Sequence, residues 1–161
     1  MAKAKEIKTN AMRILDKNKI DYTVNTYECD EFIDGVHIAD KLGQSYDESF
    51  KTIVTVGKSK EYYVFCIPVD KEIDLKEAAK SVGEKAVETL HVKDLNGITG
   101  YIRGGCTPIG MKKLFKTVID ASCLNHDKII ISGGKIGIQL ILSPADLIKV
   151  VKADTADICR K

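Results

Sequence analysis

Apolar positions recur along this chain with two periods, and each period predicts a kind of element. Ala11, Ile14 and Leu15 fall on one stripe of a helix over residues 9–18, with Thr9 placed to cap it. Leu75, Ala78, Ala79 and Val82 repeat at i, i+3, i+4 and i+7, and Gly83 stops the run. Residues 36–42 read as a short helix closed by Gly43, and 91–95 as another. Ser143-Pro144-Ala145-Asp146 opens a last helix through Val151. There Ser is the N-cap, Pro occupies the first turn, where no donor is needed, and Asp suits the helix dipole.

Alternating, β-branched stretches predict strands at 22–27, 50–56 and 62–69, the last two joined by Gly57-Lys58-Ser59-Lys60 in a hairpin-like connection. Residues 100–103 read as a strand running into a glycine loop, while 118–121 has no decisive period. Residues 128–132 and 136–142 read as strands around Gly133-Gly134, a tight hairpin. Hairpins recur and no strict βαβ rhythm appears. The expectation is an α+β fold: a mixed, mostly antiparallel sheet with flanking helices. No Pro/Ser-rich linker interrupts the 161 residues, so one domain over 1–161 is expected.

Composition narrows the class without naming a chemistry. Hydrophobic residues at 44% and charged residues at 30% are ordinary for a globular chain. No apolar run reaches the roughly 18 residues of a membrane span, and the start MAKAKEIK lacks the apolar stretch of a secretory signal. A cytoplasmic protein away from membranes is expected. A net charge of +2 is far from that of a non-specific nucleic-acid binder, although a local basic patch stays open. Five cysteines, an odd number without C-x-x-C or zinc spacing, read as reduced thiols.

The familiar catalytic motifs are missing. The sequence has no G-x-S-x-G elbow, no H-E-x-x-H and no phosphate-binding Walker loop. Gly134-Lys135-Ile136-Gly137 spells the G-x-x-G of a KH domain but lies at a β-hairpin, where the KH loop joins two helices. His37, His91 and His126 have no periodic partner, and Asp74, Glu77, Glu84 and Glu88 read as a solvated face. Three stretches stand out against this background. Gly104-Gly105-Cys106-Thr107-Pro108-Ile109-Gly110 is either a tight connection or a shaped loop whose amides face a ligand. In Phe50-Lys51-Thr52, a Lys enters an apolar strand, where it either snorkels at an edge or is held in a pocket for an anion. Ser132-Gly133-Gly134-Lys135 is a second glycine turn with a cation.

In that order and spacing, these stretches resemble the YbaK/EbsC family, whose members include bacterial Cys-tRNA(Pro) deacylases. The same fold occurs as the editing insertion of bacterial prolyl-tRNA synthetases. The likeness begins with Thr9-Asn10-Ala11-Met12, Thr26-Tyr27, Lys41-Leu42-Gly43 and Phe50-Lys51-Thr52. It continues through residues 76–83, Thr99-Gly100-Tyr101, the 104–110 loop with Lys112-Lys113, and Ser132-Gly133-Gly134-Lys135.

The resemblance implies a free-standing editing enzyme that hydrolyses a mischarged aminoacyl-tRNA, foremost Cys-tRNA(Pro), with no metal or cofactor. Lys51 would bind the phosphate and ribose of the terminal nucleotide, and the amides of Gly104 and Gly105 would hold the ester carbonyl oxygen. Tyr27, Cys106, Thr107 and Pro108 would shape the aminoacyl pocket, with Ser132, Gly133 and Lys135 at its rim. Lys112, Lys113 and Lys116 would meet the RNA backbone. For cysteine-specific members the substrate's own thiol is the implied nucleophile. Three alternatives stay open: a non-catalytic tRNA-binding accessory protein, Cys106 as a covalent nucleophile, and a preference for alanyl- or seryl-tRNA. Prolyl-tRNA synthetase is an implied partner.

Overall fold

A computed structural model describes residues 8–28 and 33–161; the chain start through Ile7, and Cys29, lie outside the described residues. In chain order the elements are α1 (Asn10–Lys17), β1 (Thr23–Thr26), α2 (Gly35–Leu42), β2 (Phe50–Gly57), β3 (Tyr62–Pro68), α3 (Leu75–Val82) and β4 (Val87–Thr89). There follow α4 (Val92–Thr99), β5 (Lys116–Asp120), a 3-10 turn (Ala121–Asn125), β6 (Ile129–Ser132), β7 (Ile138–Leu142), α5 (Pro144–Val151) and β8 (Asp154–Ala156). Among these residues no helix is long and apolar enough to cross a membrane.

The local signals act as their chemistry requires. The Thr9 hydroxyl accepts the Met12 N–H of α1, and the Ser143 hydroxyl accepts the Asp146 N–H of α5. Gly43 and Gly83 end α2 and α3 in the left-handed region, as a side-chain-free residue permits.

The strands form two sheets, one ordered β1-β7-β6 and the other β4-β2-β3-β5-β8. Pairing is antiparallel except for β3–β5 and β5–β8, which run parallel. One face of the larger sheet packs with the smaller sheet, α1 and α5 through residues such as Leu15, Phe50, Ile119, Ile131, Leu140 and Leu147. The other face carries Phe65, Ile67 and Val118 against Ala78, Ala79 and Val82 of α3. The sheets touch where Ser49, just before β2, bridges to Ile130 of β6, and the Ile130 N–H donates to the Glu48 carbonyl at 2.9 Å. From that hinge they diverge, leaving a wedge.

Three sequence expectations need correction. Residues 100–103 form no strand: Gly100 is the left-handed cap of α4, which runs on to Thr99. Tyr101 is then tied down by its N–H to the Thr99 hydroxyl at 3.0 Å and its own hydroxyl to the Ile109 carbonyl at 2.5 Å. The link between β6 and β7 is residues 133–137, longer than a tight hairpin, because Gly133 N–H closes on the Ile138 carbonyl at 2.8 Å. Glu84 leaves the solvated face to accept the Tyr63 hydroxyl at 2.6 Å, and it also bonds Ser59.

Candidate active site

The wedge between the sheets is a cavity of about 430 Å³, within the range of small-molecule sites. β2 contributes Lys51, Thr52 and Ile53, and the smaller sheet contributes Ile131, Ser132, Ile138 and Gln139. The first turn of α2 adds Asp34, Gly35 and Ile38, α4 adds Leu95, and Arg103, Gly104, Cys106 and Tyr27 complete the wall.

The opening exists because β4 is short. It pairs with β2 only at residues 55–57, so among the described residues the first half of β2 has β3 on one side and no paired strand on the other. Leu90 N–H reaches the Val54 carbonyl at 3.0 Å across that side. Strand alternation therefore aims the main-chain N–H and carbonyl of Thr52 at the same uncovered edge. Lys51, opposite Ile67, is half-buried beside this edge and makes no hydrogen bond or ion pair among the described residues. Lys51 is among the residues that line the cavity, beside that edge.

Asp34 is the nearby counter-charge. Its carboxylate accepts the His37 N–H at 2.9 Å and pairs with the His37 ring at 2.7 Å. The His37 backbone bond first, then the ring, hold the Asp34 carboxyl below its ordinary range, and the charge of Lys51 adds to this.

The two glycine stretches meet. A Cβ at Gly105 would stand 3.0 Å from Lys135 Cα and 3.1 Å from Ile136 N, so the 104–110 loop lies directly on the 133–137 turn. Tyr27 joins them, its N–H donating to the Gly137 carbonyl at 2.9 Å, and the Lys41 ammonium lies 6.0 Å from its ring centroid. Within the loop the amides divide. The Gly105 N–H is spent on the Ile102 carbonyl at 2.9 Å and is not presented to a ligand. Gly104, with φ of 89°, lines the cavity, and its N–H has no partner among the described residues. Of the two expected oxyanion donors, the geometry leaves Gly104.

Cys106 also lines the cavity, and burial pushes its thiol up to about 12, with the Thr99 hydroxyl pulling the other way. No histidine is in the wall to take its proton. Such a thiol is a poor nucleophile. Thr107 and Pro108 do not reach the cavity; they are buried behind the wall, drawn in by the Tyr101–Ile109 bond. Ser132 is in the wall, its hydroxyl accepting the Gly134 N–H at 3.2 Å. Gly133 and Lys135 are outside it, with Lys135 exposed at the rim beside Gly105. Among the described residues, no three His, Cys, Asp or Glu converge as metal ligands would.

Asp34, Arg103 and Gln139 are among the wall residues that the sequence reading missed. Asp34 and Arg103 stand in loops with no period to mark them. Gln139 had a signal: it is a lone amide in the apolar run Ile138-Gln139-Leu140-Ile141-Leu142, as unusual there as Lys51 is in β2.

Comparison with known proteins bears on this cavity. The family model for the aminoacyl-tRNA editing domain matches residues 36–150, a stretch holding Lys51, the 104–110 loop and the 133–137 turn. The chain belongs to the aminoacyl-tRNA editing domain family. It is 42% identical, over 163 aligned residues, to EbsC of Enterococcus faecalis, a candidate Cys-tRNA(Pro)/Cys-tRNA(Cys) deacylase. That alignment covers 100% of this chain and 99% of EbsC. Two crystal structures share the fold at low identity. Hypothetical protein APE2540 matches with a TM-score of 0.86 at 22% identity, over 94% of this chain and 100% of its own. A candidate trans-editing enzyme for prolyl tRNA synthetase matches with a TM-score of 0.81 at 20% identity, over 97% and 100%.

An editing domain works on an RNA-linked substrate, and the three lysines expected to meet RNA are placed unequally around this one. Lys112 is occupied: its ammonium donates to the Gly97 carbonyl at 3.0 Å, closing the end of α4. Lys113 is exposed beside it. Lys116, exposed, pairs with Tyr63 whereas Lys51 pairs with Ile67, which sets the two roughly 13 Å apart along the strand direction.

Proposed function

We propose that the cavity hydrolyses the ester joining a mispaired amino acid to the terminal adenosine of a transfer RNA, with Cys-tRNA(Pro) as the substrate. One observation carries the reading: Lys51, Gly104 and Cys106 line a single cavity, inside the stretch that matches the family. The cation suits the phosphate and ribose of the terminal nucleotide, and the Gly104 amide suits the ester carbonyl oxygen as charge develops on it. The name borne by EbsC supports cysteine as the amino acid. The whole of 1–161 acts as one unit, in the cytoplasm where charged tRNA is used.

An aminoacyl ester is already activated, so positioning supplies much of the acceleration and no protein nucleophile is required. In the cysteinyl ester the substrate sulfur gives up its proton and attacks its own carbonyl carbon. A C–S bond forms, the C–O bond to the ribose breaks, and the ribose oxygen takes a proton. Water then opens the cyclic thioester to free cysteine. The raised thiol of Cys106 favours this course over a covalent acyl-enzyme.

The selection of tRNA(Pro) belongs to a partner such as prolyl-tRNA synthetase, since lysine contacts to phosphate carry no sequence information. The test is a substrate panel: purified protein with Cys-tRNA(Pro), Ser-tRNA(Pro), Ala-tRNA(Pro) and correctly charged Pro-tRNA(Pro). The cysteinyl ester should be cleaved fastest and the prolyl ester spared. Equal loss of seryl or alanyl esters would remove the substrate-thiol mechanism, and no loss of any would leave a tRNA-binding accessory protein.

A further inference from the structure

A second cleft, about 550 Å³, lies on the other side of α4. α4 is the shared wall: Leu95 faces the first cavity, while Asp94, Gly97 and Ile98 face the second. The floor of the cleft is Val56 and Tyr62, paired across β2 and β3. Tyr62 lines the cleft and meets Phe115 edge to face at 5.9 Å, which fixes its ring there.

We infer that this second cleft takes the unpaired nucleotides that precede the terminal adenosine of the tRNA. The inference rests on the proposed function, which seats that adenosine in the neighbouring cavity. A strand leaving the first cavity over α4 meets the second within one or two nucleotides. A base stacks there on the Tyr62 ring, a contact open to every base because each has a π-face. Val92, 58% exposed between the lining residues His91 and Lys93, and Leu114, 61% exposed next to Phe115, add exposed apolar surface.

Charge decides how the strand lies. Glu88 and Asp94 line the cleft together with Lys93 and His91, so its centre has no excess of positive charge and repels a phosphate. Lys112 and Lys113 stand at the side where α4 ends. The backbone follows those lysines and the bases turn inward. Stacking on Tyr62 therefore carries the binding, and Lys93 contributes little.

The test compares two probes, adenosine monophosphate and a ribo-tetranucleotide ending in CCA, titrated onto the full chain by NMR or fluorescence. The tetranucleotide should bind more tightly, and Tyr62→Leu should weaken it about tenfold while leaving adenosine monophosphate unchanged. Tyr62→Phe, which keeps the ring, should behave as wild type. On Cys-tRNA(Pro) the Tyr62→Leu change should raise KM by a similar factor with kcat kept. Equal affinity for the two probes, or a Tyr62→Leu protein that binds the tetranucleotide normally, would overturn the inference. Shifts in the cleft produced by prolyl-tRNA synthetase and not by the tetranucleotide would overturn it in favour of a protein partner. Tyr62-dependent binding by a protein that leaves Cys-tRNA(Pro) intact would uphold the cleft and overturn the proposed activity.

Discussion

Gln44 and Gln139 hold each other amide to amide. The Gln44 Nε2 donates to Gln139 Oε1 at 2.8 Å and the Gln139 Nε2 returns a bond to Gln44 Oε1 at 3.1 Å. The Asn25 Nδ2 of β1 adds a third bond, to Gln139 Oε1, at 2.9 Å. The residue following α2 and its Gly43 cap is thereby fixed to the middle of the smaller sheet, and both amides stand in the cavity wall. Gln139 is buried, yet both its oxygen and its nitrogen are engaged, which is what makes an amide tolerable in that strand.

Gln139→Leu keeps the volume but strands the amides of Gln44 and Asn25. We expect a loss of about 1–3 kcal/mol in urea unfolding, the cost of buried groups left unpaired. KM for the aminoacyl-tRNA should rise as α2 loosens. A variant of unchanged stability and KM would show that the pair does not shape the cavity.

The thiol of Cys106 tests who supplies the nucleophile. Cys106→Ala and Cys106→Ser should retain most activity on Cys-tRNA(Pro), and the wild-type thiol should react sluggishly with iodoacetamide at pH 7–8, its proton being held up to about 12 by burial. Loss of activity in a folded Cys106→Ser protein, with an acyl group trapped on the wild type, would make Cys106 the nucleophile.

Gly105→Ala tests the contact between the two glycine stretches. The new methyl would meet backbone at 3.0–3.1 Å, and backbone does not step aside as a side chain can. A destabilisation of about 1–3 kcal/mol is expected from such overpacking, with a larger fall in deacylation as Gly104 is displaced. Full activity in this variant would mean that the loop can part from the turn without harm.

Much of this arrangement is legible in the sequence where the cause is local. The caps Thr9 and Ser143 and the stops Gly43 and Gly83 act within four residues of themselves, and the helices they bound came out as expected. β4 and β8 were missed, because three-residue edge strands are defined by a distant partner and not by their own pattern. Tyr101 misled for the same reason: in sequence it continues a β-like run, while its hydroxyl is committed to Ile109. Lys51 stood out because it breaks an apolar strand. The commitment of the Gly105 amide and the distance of Lys116 depend on how turns close and strands register, which no spacing reveals.

Asp120 gives a pH test away from the site. Burial alone would raise its pKa, but the Ser122 hydroxyl at 2.6 Å and the Ile158 N–H at 3.0 Å outweigh it and hold the carboxyl below its usual value. A depressed folded pKa stabilises the protein above the unfolded value near 3.8, and the gain is lost as pH falls through that value toward the folded one. Asp120→Ala should cost about 2–3 kcal/mol at neutral pH and flatten the acid limb of the stability curve. An unchanged acid limb would assign that loss to other carboxylates.

Lys51 tests the central claim most directly. The measurement is single-turnover deacylation of labelled Cys-tRNA(Pro), with protein in excess after exhaustive chelation, run side by side for wild type and Lys51→Ala. The wild type should release cysteine well above the spontaneous rate. The variant, equally stable in urea because its ammonium has no partner to lose, should fall to near that rate. A folded Lys51→Ala protein that cleaves as fast as wild type would contradict the assignment of this cavity.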